Sequence, residues 1–169
     1  MKSRADKAQR RMIRFAAAAD IPALLEIERA SFPSDRISPR SFRHLLTAAH
    51  AVTLLDMGEG TLRGYVMLLF RAGLPRARIY SIATHPTHQG MGVAARLLLA
   101  AERLARERGC ADLRLEIRTD NQPSLRLFHR HGFSIFGHYR GYYEDGRDAY
   151  RLAKSISPRM RALPAPHFP

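Results

Sequence analysis

The stretch from Ile82 to Leu98 constrains the fold more than any other part of this chain. A β-rich run ends in Ile82-Ala83-Thr84, a His85-Pro86 turn follows, and Gln89-Gly90-Met91-Gly92-Val93-Ala94 opens an amphipathic segment. Ala94, Leu97, Leu98, Ala101, Leu104 and Ala105 recur at helical spacing before Gly109, which predicts a helix over 93–108. Small residues let backbone N–H groups approach a ligand closely. A helix N-terminus adds unpaired donors and about half a positive charge, so this turn suits a pyrophosphate. The same pattern also serves as a plain tight strand-to-helix connection. The turn lacks the Lys-Ser or Lys-Thr pair of a P-loop, and its glycine spacing is not that of the dinucleotide fingerprint.

The flanking sequence supplies the rest of an α/β domain. Met12 to Phe15 can form a strand, Asp20 and Pro22 start a helix over 23–30, and Ser38-Pro39 starts another. Strands are predicted over 51–56 and 62–70 around a Gly58-Glu59-Gly60 turn, and over 78–84. Leu113, Leu115 and Ile117 alternate with Asp112, Arg114, Glu116 and Arg118, the signature of a strand with one apolar and one charged face. A short helix over 123–131 and strands over 133–139 and 149–154 complete the set, the last two joined by a turn containing Glu144, Asp145 and Gly146. The sum is a mixed sheet with helices packed on it. One domain spans residues 12–155, between a basic segment (1–11) and a Pro-rich tail (156–169). Both lack apolar periodicity and are predicted to be mobile.

Composition removes several function classes. A single cysteine, Cys110, allows no intrachain disulfide, which excludes a disulfide-built scaffold and points to a reducing cytoplasm. Cys110 reads as a small buried apolar group rather than a nucleophile. No apolar run approaches the ~18 residues that span a bilayer, so no membrane partner is expected. Eight histidines are present, but with one cysteine and no paired His spacing supported by carboxylates no metal is expected, and His129 and His131 read as flanking a helix end. The net charge of +13 fits either polyanionic company (nucleic acid, a ribosome, a phosphate-rich cofactor) or a solvated basic surface.

Order along the chain says more than any one motif: strand, Gln89-x-x-Gly92-x-Ala94, helix, a strand bearing Glu116, then Asn121, then Gly132-Phe133 opening another strand. In this order, and in Ile82-Ala83, His85-Pro86, Leu115-Glu116-Ile117-Arg118 and Tyr142-Tyr143, the chain resembles the GNAT superfamily of N-acetyltransferases over most of 13–154. Within it the chain is most similar to the bacterial enzymes that acetylate the N-terminal alanine of a ribosomal protein. The resemblance implies a mixed, mostly antiparallel sheet of six or seven strands with four helices, and acetyl-CoA as co-substrate. It also implies backbone pairing of Ile82, Ala83 and Thr84 with the pantetheine arm. Gln89, Gly90, Met91, Gly92, Val93, Ala94 and Ala95 would form the pyrophosphate turn, and Asn121 would hydrogen-bond the pantetheine end. Many relatives carry basic residues at the positions of Gly90 and Met91. Here backbone donors must carry the phosphates, with Arg96 as a candidate helper.

Acyl transfer to an amine needs a neutral nucleophile, so something must accept a proton, and the resemblance places Glu116 as that base. The alternative is a carboxylate paired with Arg114 or Arg118. Phe128 stands where close relatives carry a tyrosine thought to protonate the leaving thiolate, and a phenyl ring donates no proton. Tyr142 and Tyr143 are the substitute acids, or else side chains packed at a sheet edge. Asp35 and Arg36 lie where relatives shape the acceptor pocket, and could hold a peptide amine or carboxylate or be solvated loop charges. An α-amine, with a reference pKa near ~7.8, costs about 1 kcal/mol to deprotonate at neutral pH, whereas a lysine at ~10.4 costs nearer 5. One carboxylate with no evident acid therefore suits a protein or peptide N-terminus, ribosomal or other. A small amine is the alternative acceptor. A catalytically weak ribosome- or RNA-binding module on the same fold ranks third, because no stacking aromatics interleave with the N-terminal basic residues. Nucleic acid is not required for the first two readings, and no residue pattern sets an oligomeric state.

Overall fold

Alternating apolar residues sort the two faces of the sheet. Along the strand Asp112–Arg118 every second residue is buried (Leu113, Leu115, Ile117) and the charged residues between them stay partly exposed. The computed structural model describes residues 11–156. Its elements are β1 (Arg11–Phe15), α1 (Ile21–Ser31), α2 (Pro39–Thr47), β2 (Ala51–Gly58), β3 (Thr61–Phe70), β4 (Arg76–Thr84), α3 (Val93–Glu107), β5 (Asp112–Arg118), α4 (Gln122–Arg130), β6 (Ser134–Tyr139) and β7 (Ala149–Ser155). The seven strands form one sheet in the order β1-β2-β3-β4-β5-β7-β6. Every neighbouring pair is antiparallel except β4 and β5. This is the GNAT fold expected from the resemblance.

Each predicted element forms, with no end shifted by more than two residues. Arg11, assigned to the mobile segment, opens β1 and pairs with Gly58. Ile156, assigned to the tail, is buried in the core. The rest of the two expected mobile segments lies outside the described residues.

Two apolar cores flank the sheet. On one face Leu97, Leu98 and Ala101 of α3 pack on Val66, Leu68, Ile79, Leu113 and Leu115, with Phe128 and Phe133 at one end. On the other, Leu24, Ile27 and Phe42 from α1 and α2 pack on Leu55, Tyr65, Met67 and Ala83. Burying each Leu, Ile or Phe contributes about 1.5–3 kcal/mol relative to exposure. The helix starts are explained locally. Ser38 Oγ accepts from Ser41 N at 3.1 Å with Pro39 behind it, and Asn121 Oδ1 accepts from Ser124 N at 3.3 Å with Pro123 behind it.

One buried carboxylate ties the sheet to the glycine turn. Asp56 of β2 is 1% exposed. Its Oδ1 takes the Arg63 guanidinium, and its Oδ2 accepts from Arg96 Nε at 2.9 Å. Arg96 Nη1 in turn donates to the Met91 carbonyl at 3.1 Å. A charge this deep persists only when paired, and removing one partner typically costs ~3–5 kcal/mol. No local spacing reveals this link, because its three side chains come from β2, β3 and α3.

Candidate active site

The sheet splits where its one parallel pair begins. β4 and β5 are in register only over Arg76–Arg78 and Asp112–Arg114. Beyond that point Ile79–Ile82 and Leu115–Arg118 face each other across a cavity of about 550 Å³. The register of β4 against β3 also slips there: Met67 pairs with Ser81 and Leu68 with Ile79, so Tyr80 is an extra, bulged residue. A bulge bends its strand and adds twist, which turns the end of β4 away from β5. The free edges left behind carry backbone groups available to an extended ligand.

A second cavity, about 810 Å³, lies over the turn into α3. Ile82, Ala83, Thr84, Gln89, Gly90, Gly92, Val93, Ala94 and Ala95 line it. Gly90 (φ 76°) and Gly92 (φ 74°) adopt the left-handed conformation that glycine reaches without a Cβ penalty. Gly92 is the N-cap of α3 and brings no capping side chain, so the amides of the first turn meet the cavity uncapped. Close approach of the helix to the sheet needs a third glycine. A Cβ on Gly64 would stand 2.7 Å from both the Ala83 carbonyl and Val93 Cγ1. The cavity, its small residues and its uncapped amides fit a pyrophosphate and its arm.

Two members of the expected set behave differently. Met91 does not line the cavity: its side chain is exposed and its carbonyl is held by Arg96. Arg96 is not among the lining residues: its Nε goes to Asp56 and its Nη1 to that carbonyl, while its Nη2 is buried without a hydrogen-bond partner. It braces the turn. Asn121 and Phe128 line both cavities and mark their junction. The side-chain oxygen of Asn121 is occupied as the N-cap of α4, which leaves its NH₂ group for a ligand. Phe128 is buried edge-on against Phe133, with ring centroids 5.3 Å apart.

Glu116 lines the first cavity from β5, and its partner is neither Arg114 nor Arg118. Its Oε2 accepts from Arg78 Nε at 2.8 Å. Arg114 goes instead to Asp112, and Arg118 to Asp120 and Asp145. Arg78 lies 38 residues away in sequence, on the short paired stretch of β4, which is why no local spacing revealed it. Its Nη2 donates to the Tyr142 hydroxyl at 3.0 Å.

The structure therefore separates the two tyrosines. Tyr142 lies outside the cavity lining and stacks on Tyr139 at 5.5 Å, whereas Tyr143 lines the cavity. Burial, reinforced by Tyr142, pushes the Tyr143 phenol up to about 12. Asp35, also in the lining, takes a left-handed conformation (φ 54°). Its carboxylate accepts from Ser34 Oγ at 2.9 Å and from the Glu144 amide at 3.1 Å. It thus fastens the α1–α2 loop to the β6–β7 loop across the cavity mouth. Arg36 does not join it, and donates to the Phe32 carbonyl. Cys110 is buried, and burial raises its thiol.

Among the described residues no group of three or more His, Cys, Asp or Glu side chains could hold a metal ion. No helix among them is long and apolar enough to cross a membrane.

Comparison with known proteins places this architecture. The pattern of the acetyltransferase (GNAT) family matches residues 21–133. The chain is 34% identical over 140 residues to the N-alpha-acetyltransferase RimI of Mycobacterium tuberculosis, covering 80% of this chain and 87% of that one. It is 33% identical over 110 residues to the streptothricin acetyltransferase of Streptomyces lavendulae, covering 62% of this chain and 58% of that one. Among solved structures, the ribosomal-protein-S18-alanine N-acetyltransferase from Escherichia coli superposes with a TM-score of 0.80 at 25% identity, covering 90% of this chain and 98% of that one. With its split β4–β5 pair, its glycine turn and this family match, the chain belongs to the GNAT family of acetyltransferases.

Proposed function

We propose that this protein transfers the acetyl group of acetyl-CoA to the free α-amine of a peptide or protein by direct attack. The observation that carries the reading is the junction of the two cavities. A pocket walled by a carboxylate meets a pocket walled by uncapped helix amides, and Asn121 and Phe128 line both. The amides of Gly90 and of Gly92 to Ala95 hold the pyrophosphate, the free edge of Ile82 to Thr84 pairs with the pantetheine arm, and the Asn121 NH₂ group takes its end. Glu116, fixed in place by Arg78, accepts the proton that the amine gives up as its nitrogen bonds to the acyl carbon and the carbon–sulfur bond breaks. The thiol has a reference pKa near ~8.5 and departs as thiolate. Tyr143, with its phenol at about 12, is too weak an acid to hand over a proton and instead donates a hydrogen bond.

The α-amine is favoured over lysine by the cost of deprotonation and by two similar proteins, one named an N-alpha-acetyltransferase and the other a ribosomal-protein-S18-alanine N-acetyltransferase. A small amine is the second reading, favoured by the similarity to a streptothricin acetyltransferase. Purified protein incubated with acetyl-CoA and a panel of free-N-terminus peptides, lysine-only peptides and small amines, read by mass spectrometry, tests both. Acetylated peptide N-termini are expected. Acetylation confined to small amines overturns the first reading in favour of the second.

A further inference from the structure

A second polar chain reaches the acceptor cavity from inside the protein, and the catalytic scheme above does not use it. Glu28 of α1 is 1% exposed and Tyr65 of β3 is fully buried. The Glu28 carboxylate accepts from the Ile37 amide at 2.7 Å and from the Tyr65 hydroxyl. The Tyr65 oxygen lies 2.7 Å from Ser81 Oγ, and Ser81 lines the cavity on the β4 wall, facing the β5 wall that carries Glu116.

The direction of this chain follows from counting protons. Burial and the neighbouring carboxylate hold the Tyr65 phenol well above its ordinary value, so it keeps its proton. It has only one. Burial raises Glu28 as well, but its two oxygens accept from the Ile37 amide and from Tyr65, which favour the carboxylate, and a carboxylate offers no proton, so that of Tyr65 goes to Glu28. The Tyr65 oxygen can then only accept from Ser81. With its own proton spent on Tyr65, Ser81 Oγ presents only lone pairs to the cavity.

We propose that Ser81, polarised by Glu28 through Tyr65, is the second acceptor for the substrate amine, opposite Glu116. The inference rests on the amine-acetylation reading and deepens it. A neutral primary amine has two N–H bonds and one lone pair. One N–H meets Glu116, the other meets Ser81, and the lone pair is left aimed at the acyl carbon. A secondary amine has one N–H and cannot satisfy both. The site therefore selects primary amines. Ser81 is a substrate-contacting residue, and Tyr65 and Glu28 are positioning residues that set its polarity.

The test measures KM and kcat for the best amine of the panel, with KM for acetyl-CoA and the thermal midpoint alongside. Ser81→Ala is expected to raise the amine KM about tenfold, the weight of one well-placed hydrogen bond, and to leave the acetyl-CoA KM unchanged. Glu28→Gln keeps the shape but sets an NH₂ group against Tyr65. That reverses the chain, so Ser81 donates into the cavity, and the amine KM rises at least as far. Because both act through one hydroxyl, adding Glu28→Gln to Ser81→Ala is expected to bring no further rise. In wild type, a peptide with an N-terminal N-methylalanine is expected to react at least tenfold more slowly than its alanine counterpart, and in Ser81→Ala that gap narrows.

An amine KM within twofold of wild type in Ser81→Ala overturns the inference while leaving the acetyltransferase reading intact. So does a Glu28→Gln effect that persists in full on top of Ser81→Ala. A wild-type protein that acetylates no amine overturns both. A purely structural role for the chain would lower the thermal midpoint and leave the amine KM and the N-methyl discrimination where they were.

Discussion

The two cavities that meet at Asn121 and Phe128 are built from different materials. Over the glycine turn one wall is mostly backbone and small side chains from 82–84 and from the turn itself, with Met91 left out, and the opposite wall is α4 from Pro123 to Arg130 with His131 beyond it. Between β4 and β5 apolar residues such as Ile79, Leu115 and Phe128 alternate with polar side chains, Asp35, Ser81, Glu116 and Tyr143, drawn from the α1–α2 loop, two strands and the β6–β7 loop. Backbone amides at a helix N-terminus are pre-oriented by the helix itself, so the first site tolerates side-chain change wherever the turn keeps its φ angles. The second depends on pairings that hold single atoms in place: Arg78 on Glu116, Glu144 N on Asp35, Tyr65 on Ser81. The difference teaches that cofactor binding and acceptor binding should respond to separate sets of substitutions.

The largest test of that separation is Glu116→Gln. Turnover is expected to fall ~10²-fold or more, the lower range for loss of a general base, while acetyl-CoA affinity measured by calorimetry stays at the wild-type value. A shift in that affinity would merge the two regions.

Gly92→Ala attacks the other side. A Cβ there meets only Arg96 Nη1, at 3.5 Å, so the penalty comes from the left-handed φ of 74° and amounts to about 1–2 kcal/mol. Relaxing that strain distorts the turn. Acetyl-CoA affinity is expected to drop about tenfold, with the amine KM unchanged.

Asp35→Ala removes the fastening between the two loops at the acceptor mouth. Its one hydrogen bond to the Glu144 amide is worth about 0.5–1.5 kcal/mol, so the amine KM is expected to rise roughly three- to tenfold in steady-state kinetics, with no change for acetyl-CoA.

The smallest effect belongs to Tyr143→Phe. A phenol raised to about 12 stays protonated across the working range, so its hydroxyl is present throughout and titrates away only near pH 12. The rate is expected to fall less than about threefold, and the pH–rate profile between 7 and 10 keeps its shape. A new loss of rate confined to pH 9–10 would restore Tyr143 as a proton donor.

The same contrast explains what could be read from the sequence. The glycine turn was legible because its chemistry is local: Gly90, Gly92 and the periodicity of Leu97, Leu98 and Ala101 sit within a few residues of one another. The alternation of Leu113, Leu115 and Ile117 likewise set the face on which Glu116 stands. Local spacing could not supply the partner of Glu116. Arg114 and Arg118 flank it on its own strand, yet Arg78 reaches it from β4 because only there are the two strands in register. The partner of Arg96 was hidden for the same reason, since the Asp56 carboxylate comes from β2, 40 residues earlier. The Glu28–Tyr65–Ser81 chain joins a helix to two strands and leaves no trace in any single segment. Phe128 was visible as an absent hydroxyl, but its burial against Phe133 and its place at the junction of the cavities required the fold.

The most direct test of the account uses one peptide that carries both a free N-terminal amine and an internal lysine, incubated with acetyl-CoA and either wild-type protein or Glu116→Gln. Fragmentation mass spectrometry then locates the acetyl group and times its appearance. The account predicts label on the α-amine alone with wild type and the same product forming ~10²-fold more slowly with Glu116→Gln. Label on the lysine side chain, or equal rates for the two proteins, would contradict it.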